Sequence, residues 1–224
     1  MGILDWLQSP RAAVQDAGGG KEITTSDELA TAIRQASIGS ASGMPVTPDT
    51  AMRVSAVYAC VRLISGAVAN LPLHIKRRVD ADTREDLSSD PVWSVLRRKP
   101  NGWQTPSQFK RMMQAHILLR GNAYAQIVRS RGNVIALNPL HPDRMEVKQT
   151  DALDLVYEYT RRDGRKVLMA QGEVMHLVGL TLDGVNGVSA ITYARETIGL
   201  SMAQERHGAT TFKNSARPSS VLSH

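Results

Sequence analysis

The chain has 224 residues, enough for one good-sized domain or two small ones, and its 42% hydrophobic and 21% charged residues are ordinary for a folded soluble protein. Aromatic residues make up only 4%, which disfavours a nucleic-acid module that stacks bases on aromatic rings. The net charge of +6 is compatible with a polyanionic partner, although many basic proteins bind nothing anionic.

Cys60 is the single cysteine, so the chain cannot form an internal disulfide. No secretory signal is recognisable at the N-terminus, and we therefore expect folding in a reducing, cytoplasmic compartment. Cys60 lies at helical spacing among apolar residues, which favours a small buried hydrophobe over a catalytic nucleophile. No apolar run approaches the roughly 18 residues of a membrane span, so we expect no membrane partner.

Residues 1–46 are weakly patterned, with glycine-rich stretches on either side of one possible short helix capped by Ser26 or Asp27. We expect this part to be a flexible N-terminal arm. Order is predicted to begin at Thr47, because a threonine followed by Pro48 is typical of a helix start.

An apolar series at three- and four-residue steps then predicts an amphipathic helix of about five turns that ends before Leu71 and Pro72. The series consists of Val54, Val57, Tyr58, Val61, Ile64 and Val68. The alternating stretch LPLHIKRR after it favours a strand.

Two further helices are predicted to start at a polar residue followed by proline, at Asp90 and at Thr105. The first is short and carries Trp93 and Leu96. The second presents one apolar face, and KPNGWQ joins the two helices as a tight loop. That face consists of Phe109, Met112, Met113, His116 and Ile117.

From Asn122 the apolar period becomes that of a strand. NAYAQIVR and NVIALNPL are predicted to pair across the turn SRGN. Four more short strands follow, with RRDGR as a second hairpin turn: RMEVKQ, LVYEYT, KVLMA and EVMHLVGL.

The glycine-bearing loop LDGVNGVSAI leads to Ser189, a predicted N-cap, and to a helix from Ala190 to Phe212. Gly199 and Gly208 lie inside this helix, so it would be marginal alone and should need neighbours. Its predicted stripe is Ile191, Ala194, Ile198, Met202, Ala209 and Phe212.

No catalytic, cofactor or metal site is predicted, because no histidine stands at a recognised metal-ligand spacing and no ATP-binding glycine loop is present. His141-Pro142-Asp143 is explained by a proline-locked turn, with a hydrolase as the rival interpretation. His116 and His176 lie in apolar patterns typical of core or interface histidines. The stretch DGVNGVS, which begins at Asp183, places two glycines before a predicted helix start, and its backbone amides could bind a phosphate group.

The charged residues favour solvated surface. Glu85 and Asp86 lie in a polar loop. The basic residues form groups spread over several loops, and salt bridges across a subunit boundary are the alternative for them. These groups are Lys76-Arg77-Arg78, Arg97-Arg98-Lys99, Arg129-Arg131 and Arg161-Arg162.

Five stretches, which together cover about residues 45–222, form a highly specific set. They are VSAVYACVRLISGAVANLPLHIKRR, RKPNGWQTPSQFKRMMQAHILLRGNAYAQIVR, LNPLHPDRMEV, EVMHLVGLTLDGVNGVSAITYARETIGL and TTFKNSARPSSVL. In this order they resemble the portal proteins of HK97-type tailed bacteriophages.

The resemblance implies an α+β fold in three parts: the arm 1–46, a wing 47–188 of short helices and antiparallel hairpins, and 189–224 as the first stem helix and the start of the clip. It also implies a structural subunit, not an enzyme, in a dodecameric ring at the capsid vertex. Such a ring is the channel for packaging and ejecting double-stranded DNA.

The partners implied by the resemblance are other copies of the chain, the terminase large subunit, the major capsid protein and non-specific double-stranded DNA, without a cofactor. The expected location is the virion, assembled in the host cytoplasm. Many relatives have Ser-Pro-Ile at 189–191 and Lys-Asn-Gly at 213–215, where this chain has Ser-Ala-Ile and Lys-Asn-Ser.

A full portal continues through the clip, a second stem helix and a crown, so we expect a fragment, a split gene or an inactive prophage remnant. Another phage head structural or adaptor protein is the alternative function. We expect the stem stripe to be covered by an adjacent subunit rather than by its own wing.

A DNA channel needs a wall whose charge neither traps nor strongly repels phosphates. The possible channel-facing residues on the stem helix are Arg195, Glu196, Glu205, Arg206 and Lys213. Their mixed charge predicts weak DNA contact without sequence preference.

Overall fold

The structure, a computed structural model, describes residues 39–214. The short helix expected near Ser26 and the start of the clip expected after the stem helix lie outside these residues. The compact unit that contains all the helices and strands named here begins at Ser40 and is called the body. No helix within the described part combines the length and apolar character that crossing a bilayer requires.

This described part contains six α-helices and eight strands. In chain order they are α1 (Pro48–Ala51), α2 (Ser55–Asn70), β1 (Lys76–Arg78), β2 (Arg84–Asp86), α3 (Pro91–Arg97), α4 (Pro106–Arg120), β3 (Asn122–Ser130), β4 (Asn133–Leu140), β5 (Met145–Gln149), β6 (Leu155–Thr160), β7 (Lys166–Ala170), β8 (Val174–Val178), α5 (Ala190–Tyr193) and α6 (Arg195–Lys213). Every strand pairing is antiparallel, so the predicted α+β class is confirmed.

The first predicted helix is two helices in the structure. Thr47 caps α1, accepting a hydrogen bond from the Thr50 amide while the Thr50 hydroxyl accepts from the Thr47 amide. The chain then turns at Val54, which has extended backbone angles and precedes α2. Ala51 and Val54 are both buried in the same apolar cluster, and the turn lets both reach it.

Helix α2 is covered on one side only, where it packs against α4. Its buried residues are Val61, Ser65 and Ala69, two of them small, which permits close approach of the helices. Tyr58 and Ile64 of the predicted stripe are instead exposed. The assignment of Cys60 to the core was wrong as well, because its side chain is exposed.

The strand predicted for LPLHIKRR is mostly irregular. Only Lys76–Arg78 pairs, with β2, in a small exposed hairpin. Proline at position 72 has no N–H to offer a strand partner, which explains the late start. Nζ of Lys76 lies 3.7 Å from Oδ1 of Asp86, and Nη2 of Arg77 lies 3.7 Å from Oε2 of Glu85. These acidic residues therefore form surface ion pairs.

Helices α3 and α4 start as predicted. The Asp90 carboxylate accepts from the Val92 amide, and Thr105 forms a reciprocal cap with Gln108. The tight loop between the helices is fixed by Asn101, whose side chain is almost fully buried.

The amide group of Asn101 explains this burial, because all of its bonding capacity is used. Its carbonyl oxygen accepts from the amides of Trp103 and Gln104, and its nitrogen donates to the Gln104 side chain and to the Leu137 carbonyl. The loop is thereby tied to β4 in the central sheet.

The central sheet has the order β4-β3-β8. Its hairpin turns through Arg131 and Gly132, both with positive φ, as the sequence SRGN predicts. A second sheet has the order β5-β6-β7 and turns at Gly164, again as predicted.

The body is built in three layers, because alternate residues of β3 face opposite ways. Ala123 and Ala125 pack in a cluster with Val95 of α3 and Phe109 of α4. Tyr124 packs on the other side, in a cluster with Tyr157, Met169 and Val174. Helices α3 and α4 therefore cover one face of the central sheet, and the second sheet covers the other.

Candidate functional site

The long C-terminal helix is joined to the body at a close contact between three backbone segments. Gly121 ends α4 with φ of 79°, Gly179 follows β8, and Gly187 ends the loop before Ser189. The Gly179 amide donates to the Gly121 carbonyl at 2.8 Å. A methyl group on Gly187 would overlap the Gly121 carbonyl, so no side chain fits between these segments.

Asn122 holds the loop to the central sheet. Its side-chain oxygen accepts from the Gly187 amide at 2.8 Å, and its nitrogen donates to the Gly187 carbonyl at 3.1 Å. The same oxygen lies 2.9 Å from Nε2 of His176 and, because an amide oxygen can only accept, it accepts a hydrogen bond from the N–H at that position. Nδ1 of His176 is then free to accept from the Tyr157 hydroxyl at 3.2 Å.

His176 is thus a satisfied core histidine, as the sequence predicted, and burial lowers its pKa to about 4. Its ring also stacks on Tyr124 with centroids 4.4 Å apart. His116 is different, because its Nδ1 is buried without a hydrogen-bond partner among residues 39–214.

The glycine loop does not present free amides to a phosphate. The Asp183 carboxylate accepts from the amides of Val185 and Asn186, at 2.9 and 2.7 Å. These bonds hold the pKa of Asp183 well below its usual range. The loop binds its own carboxylate, so the phosphate interpretation is wrong for these two amides.

Ser189 caps the following helix, as predicted. Its hydroxyl oxygen accepts a hydrogen bond from the Ile191 amide at 3.1 Å, and the hydroxyl donates one to the Leu119 carbonyl at 2.6 Å. The predicted continuous helix from Ala190 to Phe212 is interrupted at Ala194, where the backbone leaves helical angles. Ile191 and Ile198 on either side of this bend are both buried in the cluster that contains Leu119.

The first half of α6 packs against its own chain. Ile198 is buried and Met202 packs against the same cluster. The expectation that an adjacent subunit covers this part of the stripe was wrong, because α1, α2 and the end of α4 already cover it.

The second half of α6 is different. Apart from Gly208, residues 204–214 are exposed, and Phe212 exposes 81% of its surface. Ala194 and Ala209 of the predicted stripe are exposed too.

A short N-terminal strap, residues 40–44, lies against the first turns of α6. The Ala41 amide donates to the Glu196 carboxylate at 2.8 Å. A methyl group on Gly199 would overlap the Ser40 side chain, so this glycine is required by the close approach of the strap. The sequence does not predict this contact, because no local pattern links positions 155 residues apart.

The five residues predicted to face a channel fall into two groups. Arg195 is half-buried where α6 meets the body, and Glu196 binds the strap. Glu205, Arg206 and Lys213 are exposed on the second half of the helix. Arg206 and Lys213 are two turns apart and share one face.

His141 and Asp143 are not arranged as a catalytic pair. Nδ1 of His141 accepts a hydrogen bond from the Asp143 amide at 3.3 Å and lies 3.7 Å from Oδ2 of the Asp143 carboxylate, beyond hydrogen-bonding distance. The carboxylate accepts from Nε of Arg120 at 2.7 Å. Burial raises the pKa of Asp143, but the bond and charge of Arg120 outweigh it and leave the pKa below its usual value.

No cluster of three or more histidine, cysteine or acidic side chains that could hold a metal ion occurs in the part of the chain that the structure describes. The features that stand out are instead a rigid junction and a half-covered helix.

A family model described as phage portal protein matches residues 55–224. The portal protein of Enterobacteria phage HK97 is 34% identical over 180 residues, covering 80% of this chain and 42% of that protein. The probable portal protein of Streptomyces phage phiC31 is 32% identical over 196 residues, covering 81% and 41%.

The fold is also similar to a solved chain from the neck of a native gene transfer agent particle computed with C12 symmetry. The TM-score is 0.61 and the identity 25%, covering 85% of this chain and 55% of that chain. The chain spans less than half the length of the two phage proteins. By the match of the family model and by these relatives, the chain belongs to the phage portal protein family.

Proposed function

We propose that the chain is part of a structural portal subunit, which forms a dodecameric ring at the capsid vertex and lines the channel for double-stranded DNA. Membership of the portal family supports the role, and the likeness to a particle neck computed with C12 symmetry supports the ring. The division of the chain that we propose with it is an arm over 1–46, a wing over 47–188, and the first stem helix with the start of the clip over 189–224.

The observation that carries the proposal is the half-covered α6. Its first half is fixed to the body through Ile198 and Met202, while the second half leaves the body with Phe212 exposed. A helix of this composition is marginal without packing partners, so a second surface should complete it. Copies of the same chain around a ring supply such a surface.

In this ring, we place Glu205, Arg206 and Lys213 on the channel side, with Arg195 and Glu196 closer to the body. Mixed charge on the wall suits a duplex that must pass without being held. The further partners that we propose are the terminase large subunit and the major capsid protein. The location is the virion, after assembly in the host cytoplasm.

The portal family is structural, and we propose that this chain breaks no bond itself. The pairing of Asp143 with Arg120 and the filling of the glycine loop by Asp183 support this. The Asp143 carboxylate is occupied by the Arg120 side chain, and the Asp183 carboxylate is occupied by the backbone amides of its own loop.

Electron microscopy of the purified chain tests the proposal, and twelve-fold rings with a central channel are the expected result. A matched pair of variants sharpens the test. Phe212→Asp should reduce ring yield, whereas Thr211→Asp, at an exposed neighbour on another face, should not. Neither should change the melting temperature of the single chain, because neither side chain packs in the body.

Sedimentation velocity tests whether the chain fails to assemble. A wild-type chain that remains a single subunit at high concentration, with no rings in micrographs, would contradict the proposal for this chain. Equal ring yields from both variants would remove the role of the second half of α6.

A further inference from the structure

Residues 91–142 contain no aspartate or glutamate, although acidic residues lie directly on both sides, at Asp90 and Asp143. All the charged residues of the stretch are basic: Arg97, Arg98, Lys99, Lys110, Arg111, Arg120, Arg129 and Arg131. Helices α3 and α4 lie within it, so the helical layer carries a positive surface.

Trp103 stands on this surface in the loop between α3 and α4, with 67% of its area exposed. The loop is held in one shape, because the Asn101 side chain makes three hydrogen bonds to Trp103 and Gln104 within it and one to the Leu137 carbonyl of β4. Arg98 and Lys99 precede it closely, are exposed, and form no ion pair within residues 39–214. An exposed tryptophan on a fixed loop is typical of a binding anchor.

A second exposed apolar residue has the opposite surroundings. Leu153 lies at the turn between β5 and β6, with φ of 65° and 74% of its area exposed. Positive φ is unusual for a leucine, and such a conformation persists only where the surroundings impose it. Asp151 and Asp154 flank it, and neither forms an ion pair among the described residues.

This turn is also held in one shape. The Leu153 amide donates to the Thr150 carbonyl at 2.9 Å, and the Asp154 amide donates to the Thr150 hydroxyl at 3.2 Å. The Gln149 side chain donates to the Leu153 carbonyl at 3.2 Å. The turn therefore presents Leu153 outward between the Asp151 and Asp154 carboxylates. Because the turn is already ordered, binding a partner there loses little further conformational entropy.

The two features belong to layers on opposite faces of the central sheet. Trp103 joins the helical layer, and Leu153 belongs to the second sheet. Surfaces on opposite layers suit a head-to-tail contact between copies, which closes into a ring when the rotation permits.

We propose that the acidic Leu153 turn (residues 150–154) of one copy docks against the basic Trp103 loop (residues 97–103) of the next copy. The contact rests on the proposed ring and names one of its surfaces. Opposite charge selects the partner surface, and the two exposed apolar side chains supply the centre of the contact.

Charge reversal tests the pairing. One variant is Asp151→Lys with Asp154→Lys, and the other is Arg98→Glu with Lys99→Glu. Each alone should weaken self-association about tenfold or more in sedimentation experiments, because like charges then face each other. Mixing the two should restore association, because each altered surface meets its complement on the other variant.

A cysteine pair tests the geometry in the full chain with Cys60→Ser, which removes the single native thiol. Leu153→Cys with Trp103→Cys should give a ladder of crosslinked copies under mild oxidation. Leu168→Cys with Trp103→Cys is the matched control, since Leu168 is also exposed and lies in the same sheet. The control should give little ladder.

The outcomes separate this contact from the proposed function. Rings that form without the expected ladder, or that tolerate both charge reversals, would overturn the contact and leave the portal role standing. Loss of duplex DNA binding by the Arg98/Lys99 variant, with association unchanged, would assign the basic surface to nucleic acid instead. A wild-type chain that never associates would overturn both the contact and the proposed ring of this chain.

Discussion

His116 and His176 are two buried imidazoles that the fold keeps neutral. Burial lowers the pKa of each to about 4, and for His116 the nearby His141 and Arg120 contribute further. Their ordinary pKa in an unfolded chain is about 6.5. The unfolded state therefore binds more protons than the folded state between these two values.

We expect the free energy of unfolding to rise with pH from about 4.5 to about 6.5 and then to level off, because the histidines no longer differ in protonation. Each histidine can contribute up to about 1.4 kcal/mol per pH unit, reduced by its partial exposure to solvent. Urea unfolding experiments between about pH 4.5 and about pH 6.5, the range given above, measure this change in the free energy of unfolding. His116→Gln with His176→Gln should flatten the slope, and an unchanged slope would contradict the assignment.

At the scale of elements, the junction of α4, β8 and the loop before Ser189 depends on glycines in contact. Gly187→Ala should destabilise the chain by about 2 kcal/mol or more, because its methyl group would overlap the Gly121 backbone. Gly172→Ala, where the added methyl group meets nothing, is the matched control. Thermal unfolding of both variants checks the difference, and equal melting temperatures would contradict the close contact.

The strap gives a second comparison, within a single helix. Gly199→Ala should displace residues 40–44, and limited proteolysis should then cut the strap faster. Gly208→Ala has open space and should stabilise α6 by about 0.5–1 kcal/mol, because alanine is the better helix former. If Gly199→Ala stabilised the chain as much as Gly208→Ala does, the strap would not be held against α6.

These elements also show what could be predicted locally. The starts of α3, α4 and the helix after Ser189 were correct because a capping side chain acts within three residues. The hairpin turns were correct because glycine at positive φ signals them. The exposure of Cys60 and the strap contact were not predictable, because they depend on which element packs on which face.

At the scale of the whole molecule, we expect assembled rings to bind duplex DNA weakly and without sequence preference. Arg206→Ser with Lys213→Ser should lower the salt dependence of binding, since fewer counterions are released. Arg161→Ser with Arg162→Ser removes equal charge from the second sheet and should have less effect. Fluorescence anisotropy with unrelated duplexes over a salt series measures it, and nanomolar binding to one sequence would contradict the expectation.

The candidate site was predictable in outline only. The position of the long helix and its cap followed from Ser189 and the apolar spacing, whereas Asn122 and Asn101 were missed because a buried amide has no sequence signature. The channel-facing roles of Glu205, Arg206 and Lys213 stay predictions, since they depend on the arrangement of several copies.

The glycine contact at the base of α6 has a mechanical consequence. At about 1.5 Å per residue the 19-residue helix is about 28 Å long, so a swing of about 10° at its base moves the tip by about 5 Å. Backbone pressed on backbone leaves no compliant side chains to absorb such a swing. A force on the tip should therefore be transmitted to Gly121 and the central sheet, so that α6 moves together with the body rather than independently of it.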